Sequence, residues 1–152
     1  MKRSGINNVI IEASSHGLKQ KRLDFLKLKA GIFTNLSHDH LDYHKDMQDY
    51  FHSKLLLFKS LLKEKNTVIT DTDIKQFGTI KKIQKKRKLK IFTIGSKSNI
   101  FEILNHKIFK NFQSLEIKYK KKVYKLKINL YGSMQIKNLL MAVLAAKICG
   151  LK

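Results

Sequence analysis

At 152 residues the chain suits one domain or a large part of one, and it is long enough to bury a real core. A hydrophobic share of 43% excludes disorder as a global description. The net charge of +21 is almost all lysine, since the only arginines are Arg3, Arg22 and Arg87; with no Pro or Trp, this fits the codon bias of an AT-rich genome better than a nucleic-acid reader, which would favour Arg for bidentate contacts.

In chain order, Asn8 to Glu12 is a β-branched run that reads as a buried strand, ending in the polar loop Ala13 to Gly17. Leu23 to Leu28 suits a short helix or turn. Ala30 to Asn35 reads as a second buried strand, and Ser37 to His44 as a polar loop. From Asp46 to Lys63 the apolar residues Met47, Tyr50, Phe51, Leu55, Phe58 and Leu62 recur at helical spacing. Thr67 to Thr70 reads as a strand, Asp73 to Gln84 as a helix, and Lys90 to Gly95 as a strand. That alternation predicts a mostly parallel α/β sheet flanked by helices. From Ile100 to Leu130 alternating runs predict an added antiparallel section, with the lysine run between Tyr119 and Val123 as a hairpin turn and charged edge. Gln135 to Cys149 reads as an apolar helix stopped by Gly150.

The single cysteine, Cys149, has no internal partner, so a reduced, cytoplasmic setting is expected. Nothing reads as a signal peptide, and no apolar run nears the roughly 20 residues that span a bilayer, so no membrane partner is expected.

Two clusters could carry chemistry. The first is Glu12 to Leu18 with Gln20, Arg22 and Asp24. A carboxylate just past a strand end can meet a hard cation, and hydroxyls, an amide and a guanidinium can hold an acidic substrate. The bland alternative is a polar loop whose serine caps a helix. The second is Thr34 to His44, where three imidazoles and two carboxylates crowd seven residues. It suits a metal site, or a solvated loop capping the next helix. His38, His40, Asp42 and His44 approach the H-x-H-x-D-H signature of metallohydrolases, but Tyr43 intrudes and displaces the last ligand. Lys54 stands on the following helix and is, on its own, one lysine among many. No G-x-x-x-x-G-K-[ST], G-x-G-x-x-G or G-x-S-x-G occurs.

Together, Glu12-Ala-Ser-Ser-His-Gly-Leu-Lys-Gln-Lys-Arg22, Thr34 to His44, and Tyr50 with Lys54 resemble the Mur ligases, closest to the MurE-type UDP-N-acetylmuramyl-tripeptide synthetases. The family's pattern is E-[VA]-S-S-H-G-L-x-Q-x-R, then T-N-L-S-x-D-H-L-D-Y-H, then Tyr and Lys a helical turn apart. Gly132 to Ala142 resembles its G-x-F-N-x-x-N-x-L-x-A, with Asn138 at the second asparagine and Gln135 replacing the first. The N-x-D-D motif is altered to Thr70-Asp71-Thr72-Asp73.

The resemblance implies residues 1–152 to be a partial central (ATPase) domain of an ATP-dependent amide-bond ligase. Such a ligase adds diaminopimelate or lysine to UDP-MurNAc-L-Ala-D-Glu through an acyl phosphate. It implies Mg²⁺ on Glu12, His40 and a carbamylated Lys54, with Lys54 and His40 catalytic; substrate on Ser14, Gln20 and Arg22; and the adenine of ATP on Asn138. The phosphate-binding segment, the uridine-binding domain and the C-terminal domain are not in this sequence, so the chain alone is expected not to ligate and a companion chain carrying the phosphate loop is an expected partner. The competing expectations are a basic nucleic-acid-binding module on a decayed ligase scaffold and, with less support, a metallohydrolase.

Overall fold

The computed structural model describes residues 5–37 and 43–151. Six strands form one sheet in the order β1 (Ala30–Phe33), β2 (Thr67–Asp71), β3 (Lys90–Gly95), β4 (Phe101–Ile108), β5 (Gln113–Tyr119) and β6 (Lys122–Ile128). The first four are parallel and the last three form an antiparallel meander, so the expected architecture is observed. Among the described residues four helices accompany it: α1 (Ser15–Lys19), α2 (Met47–Leu56), α3 (Phe77–Lys86) and α4 (Ser133–Ile148). A π-helical turn, Leu57–Leu61, continues α2.

The parallel strands are apolar on both faces, which demands cover on both. On β2, Val68 enters one core with Phe33, Leu55, Phe58, Leu62 and Ile80, supplied by β1, α2, the π turn and α3. Its neighbour Ile69 enters the other core with Ile94, Leu115, Ile117, Ile136 and Leu140, closed by α4. Every residue of β2 is buried, as a central strand should be. β5 alternates instead, with Gln113, Leu115 and Ile117 inward.

Only five residues separate β3 from β4, too few for a helical crossover. β4 therefore pairs with β3 only at its start, Ile94 with Phe101 and Gly95 with Glu102, and runs on beyond it. The rest of β3's edge is covered by one side chain. The Asn99 carboxamide accepts from the Thr93 amide at 2.8 Å and donates to the Ile91 carbonyl at 2.9 Å, taking the place of a neighbouring peptide.

Three expectations need correction. Asn8 to Glu12 is not a buried strand: it pairs with nothing in the sheet, and Val9, Ile10 and Ile11 are 51%, 91% and 46% exposed. A strand needs a neighbour for its amides and carbonyls, and a sequence pattern cannot show that one is present. The segment after it is not all loop, because Ser14 starts α1. α3 begins at Phe77 rather than Asp73, because Asp73 is held in the preceding turn: its amide donates to Asp71 and its carboxylate receives the Ser96 amide and hydroxyl.

The Tyr119–Lys122 hairpin turns on Lys120 and Lys121, at φ 48° and 66°, which is the two-residue turn whose twist suits paired strands. α4 ends as expected. Gly150 at φ 87° lets its own amide reach the Lys147 carbonyl and the Leu151 amide reach that of Ala146. Among the described residues no helix is long and apolar enough to cross a membrane.

Candidate substrate and metal face

Ser14 is extended at φ −62°, ψ 149°, and its hydroxyl accepts from the Gly17 amide at 3.1 Å, satisfying one of the free amides of α1. Asp46 does the same for α2, accepting from the amides of Gln48 and Asp49 at 2.8 Å. Two short polar segments become two capped helix starts.

The helices are joined by a chain of polar contacts. Ser15, 1% exposed, lies 2.9 Å through its hydroxyl from Nε2 of His44. Nδ1 of His44 lies 3.3 Å from the Asp49 carboxylate, which also receives Lys19 Nζ at 2.7 Å. An ionised carboxylate only accepts, so Nδ1 carries the proton toward Asp49. The Lys19 hydrogen bond, more than those of His44 and the Lys45 amide, holds the Asp49 carboxyl down from 3.8 to about 2.

Aromatic contacts extend this junction. Tyr43 packs on His16 with centroids 3.8 Å apart, and its hydroxyl accepts from Gln20 Nε2 at 3.2 Å. The His44 ring centroid lies 5.2 Å from that of Tyr50, and Lys54 Nζ stands 4.9 Å from the same Tyr50 centroid. Ser14, Gln20 and Lys54 are thus tied, directly or through one neighbour, to a single junction between α1 and α2. Glu12 and Arg22 are exposed on either side of α1. His40 lies outside the described residues, as do His38 and Asp42. Among the described residues no group of three His, Cys, Asp or Glu side chains is arranged to hold a metal.

A second polar cluster sits at the carboxyl ends of β2 and β3. The Asp71 side chain is fully buried and receives Lys137 Nζ of α4 at 2.5 Å. Burial pushes the neighbouring Asp73 carboxyl up, but the Ser96 hydroxyl and amide outweigh it and hold it below the ordinary range. Beside Lys137, the Oδ1 of Asn138 is buried with no hydrogen-bond partner. Gln135 is exposed. An orphaned buried carbonyl is costly in isolation, and it suits an incoming N–H such as an exocyclic amine.

Ser15 and His44 were part of motifs in the sequence but had no assigned role, and Asp49 belonged to none of them. Their partners are 29 and 5 residues apart, and no local periodicity links them.

A mostly parallel α/β sheet with polar clusters at the carboxyl ends of its central strands and beside α1 and α2 defines the class. Residues 1–146 match the family model described as Mur ligase middle domain, and the chain belongs to that family. Relatives include the UDP-N-acetylmuramoyl-L-alanyl-D-glutamate–2,6-diaminopimelate ligases of Zymomonas mobilis, 38% identical over 92% of this chain and 29% of the relative, and of Rickettsia rickettsii, 34% identical over 97% and 30%. A solved structure of a ligase of that name superposes with a TM-score of 0.77 at 26% identity, covering 92% of this chain and 29% of its own. A MurF structure from Acinetobacter baumannii, 12% identical with a TM-score of 0.70 over 83% of this chain, shares the fold. The chain spans about a third of the length of these relatives.

Proposed function

We propose that this chain is the substrate- and metal-holding part of the central domain of an ATP-dependent ligase that adds the third amino acid to UDP-MurNAc-L-Ala-D-Glu. The relatives' names point to diaminopimelate as that amino acid. The observation that carries the reading is the Ser15–His44 hydrogen bond, which joins the two motif-bearing segments so that Ser14, Gln20 and Lys54 belong to one junction.

In this reading Gln20 and Arg22 bind the substrate, Arg22 pairing bidentately with a carboxylate or phosphate, and Ser14 orients it from the α1 cap. Tyr50 and α2 fix the Lys54 amine. Carbamylation there begins with the ammonium losing one proton to give the neutral amine; the amine adds to CO₂, the N–C bond forms, and a second proton leaves, so a cation becomes an anion. Carboxylate and carbamate oxygens are the hard donors that Mg²⁺ takes, so Glu12 and modified Lys54 fit that ion, with His40 as a further ligand. Magnesium would neutralise charge developing on phosphate oxygens. The unpartnered Asn138 Oδ1 fits the adenine amino group. The 152 residues hold no phosphate-binding loop, so turnover needs that loop from elsewhere in the polypeptide or from a companion chain. The setting proposed for this reaction is the cytoplasm.

Titration of UDP-MurNAc-L-Ala-D-Glu into the purified chain tests the reading. Arg22→Ala is expected to weaken binding about tenfold, the worth of a lost charge-assisted pair. In labelled bicarbonate, a carbamate carbon resonance is expected that is lost in Lys54→Ala. No binding by the parent chain, or ligation by the 152 residues alone, would overturn it.

A further inference from the structure

A cavity of about 300 Å³ lies far from the α1–α2 junction, between β3, the β5–β6 hairpin and the C-terminal half of α4. Its walls are Phe92, Ile100, Tyr119 and Leu144, and Lys120 and Lys147 stand at its mouth. Lys147 is ten residues beyond Lys137 on α4, about 15 Å along the helix axis, so this cavity is separate from the Asp71–Asn138 cluster.

Its electrostatics are one-sided. Lys147 Nζ lies 4.8 Å from the Tyr119 centroid and donates to the Tyr119 hydroxyl at 3.0 Å, and Lys120 Nζ lies 5.6 Å from the same ring. Two ammonium groups thus converge on one ring, and among the described residues no carboxylate lines the cavity. The polar group on its wall, Asn99, already bonds to Thr93 and Ile91 of β3. The Lys147 hydrogen bond, ahead of the charge of Lys120, holds the Tyr119 phenol below its ordinary range. The same Lys147 donor and Lys120 charge are placed to act on a bound anion.

We propose that this cavity binds a small planar amphipathic anion, an aromatic monocarboxylate, with its ring among Phe92, Ile100 and Leu144 and its carboxylate between Lys120 and Lys147. The volume suits one or two fused rings, an apolar wall with a few convergent polar groups is how small-molecule sites are built, and the charge selects the anion. The site does not depend on the ligase reading.

Naphthoate and its neutral analogue naphthamide are the probes, titrated against the full chain by calorimetry and by side-chain NMR. Naphthoate is expected to bind about tenfold tighter than naphthamide, with shifts at Tyr119, Ile100 and Leu144. Lys147→Gln, which keeps a donor for Tyr119, should weaken naphthoate about fivefold and leave naphthamide unchanged, while Lys147→Arg retains binding. Equal binding of the two probes overturns the proposal. So do shifts spread over the lysine-rich surface from Lys81 to Lys90, which would mean attraction to the +21 charge as a whole. The comparison of probes on the unmodified chain stands even if a variant fails to fold.

Discussion

Asp49 shows how one residue can couple two distant segments. It receives Lys19 of α1, His44 of the loop and the Lys45 amide, and the Lys19 hydrogen bond is the main reason its carboxyl sits at about 2. The folded value is below the unfolded one, so folding favours the ionised form. The stability this contributes is complete above about pH 4 and is lost as the pH falls through about 2. Urea unfolding across that window should show a falling acid limb in the parent chain and a shallower one in Asp49→Asn. Identical limbs would mean that the α1–α2 junction is not held by this charge. His44, with no exposed side-chain surface, is the hinge of the same arrangement, because its two nitrogens serve Asp49 and Ser15 at once.

At the scale of elements, α4 is fastened at its start by an ion pair and along its length by apolar contact. Asp71 is buried at the end of the central strand, and Lys137 is its charged partner. Lys137→Met keeps the aliphatic stem but leaves a buried carboxylate with only the Asp73 amide. The expected cost is about 3 kcal/mol, read from denaturant midpoints. A loss below about 0.5 kcal/mol would show the pair to be solvated and dispensable. The β5–β6 hairpin offers the opposite case. Lys120 and Lys121 both occupy left-handed backbone, which side chains with a Cβ adopt at a cost. Replacing them by Asn-Gly should stabilise the chain by about 1 kcal/mol and raise its melting temperature, since that dipeptide prefers this turn. An unchanged melting temperature would show that the turn does not limit the meander.

For the whole molecule, the sequence made the layered plan legible because its cores follow simple periods. Alternating strand and helix runs predicted β1 to β3, the switch to alternating polarity predicted β4 to β6, and Gly150 predicted the end of α4. What could not be read were relationships between distant residues. Asn99 standing in for a strand, Asp73 delaying α3, and Ser15 meeting His44 all depend on which segments the fold brings together. The candidate site divides in the same way. Family motifs gave its residue types and order, whereas the junction that unites them rests on contacts across 29 residues. The mistaken strand at Asn8 to Glu12 was a correct reading of residue preference applied where no neighbour completes the ladder.

That exposed run carries a practical liability. Three large β-branched side chains in succession, on a segment that pairs with no described strand, form a template on which another copy can add by main-chain hydrogen bonding. Like-charge repulsion between lysine-rich copies opposes this in dilute, low-salt buffer, and added salt screens that repulsion. Light scattering of concentrated protein should therefore grow with salt and fall in Ile10→Lys, where the most exposed of the three becomes a gatekeeper charge. Equal scattering from both proteins would place the sticky surface elsewhere. The same five residues that read as the start of a sheet would then set how concentrated the chain can be kept.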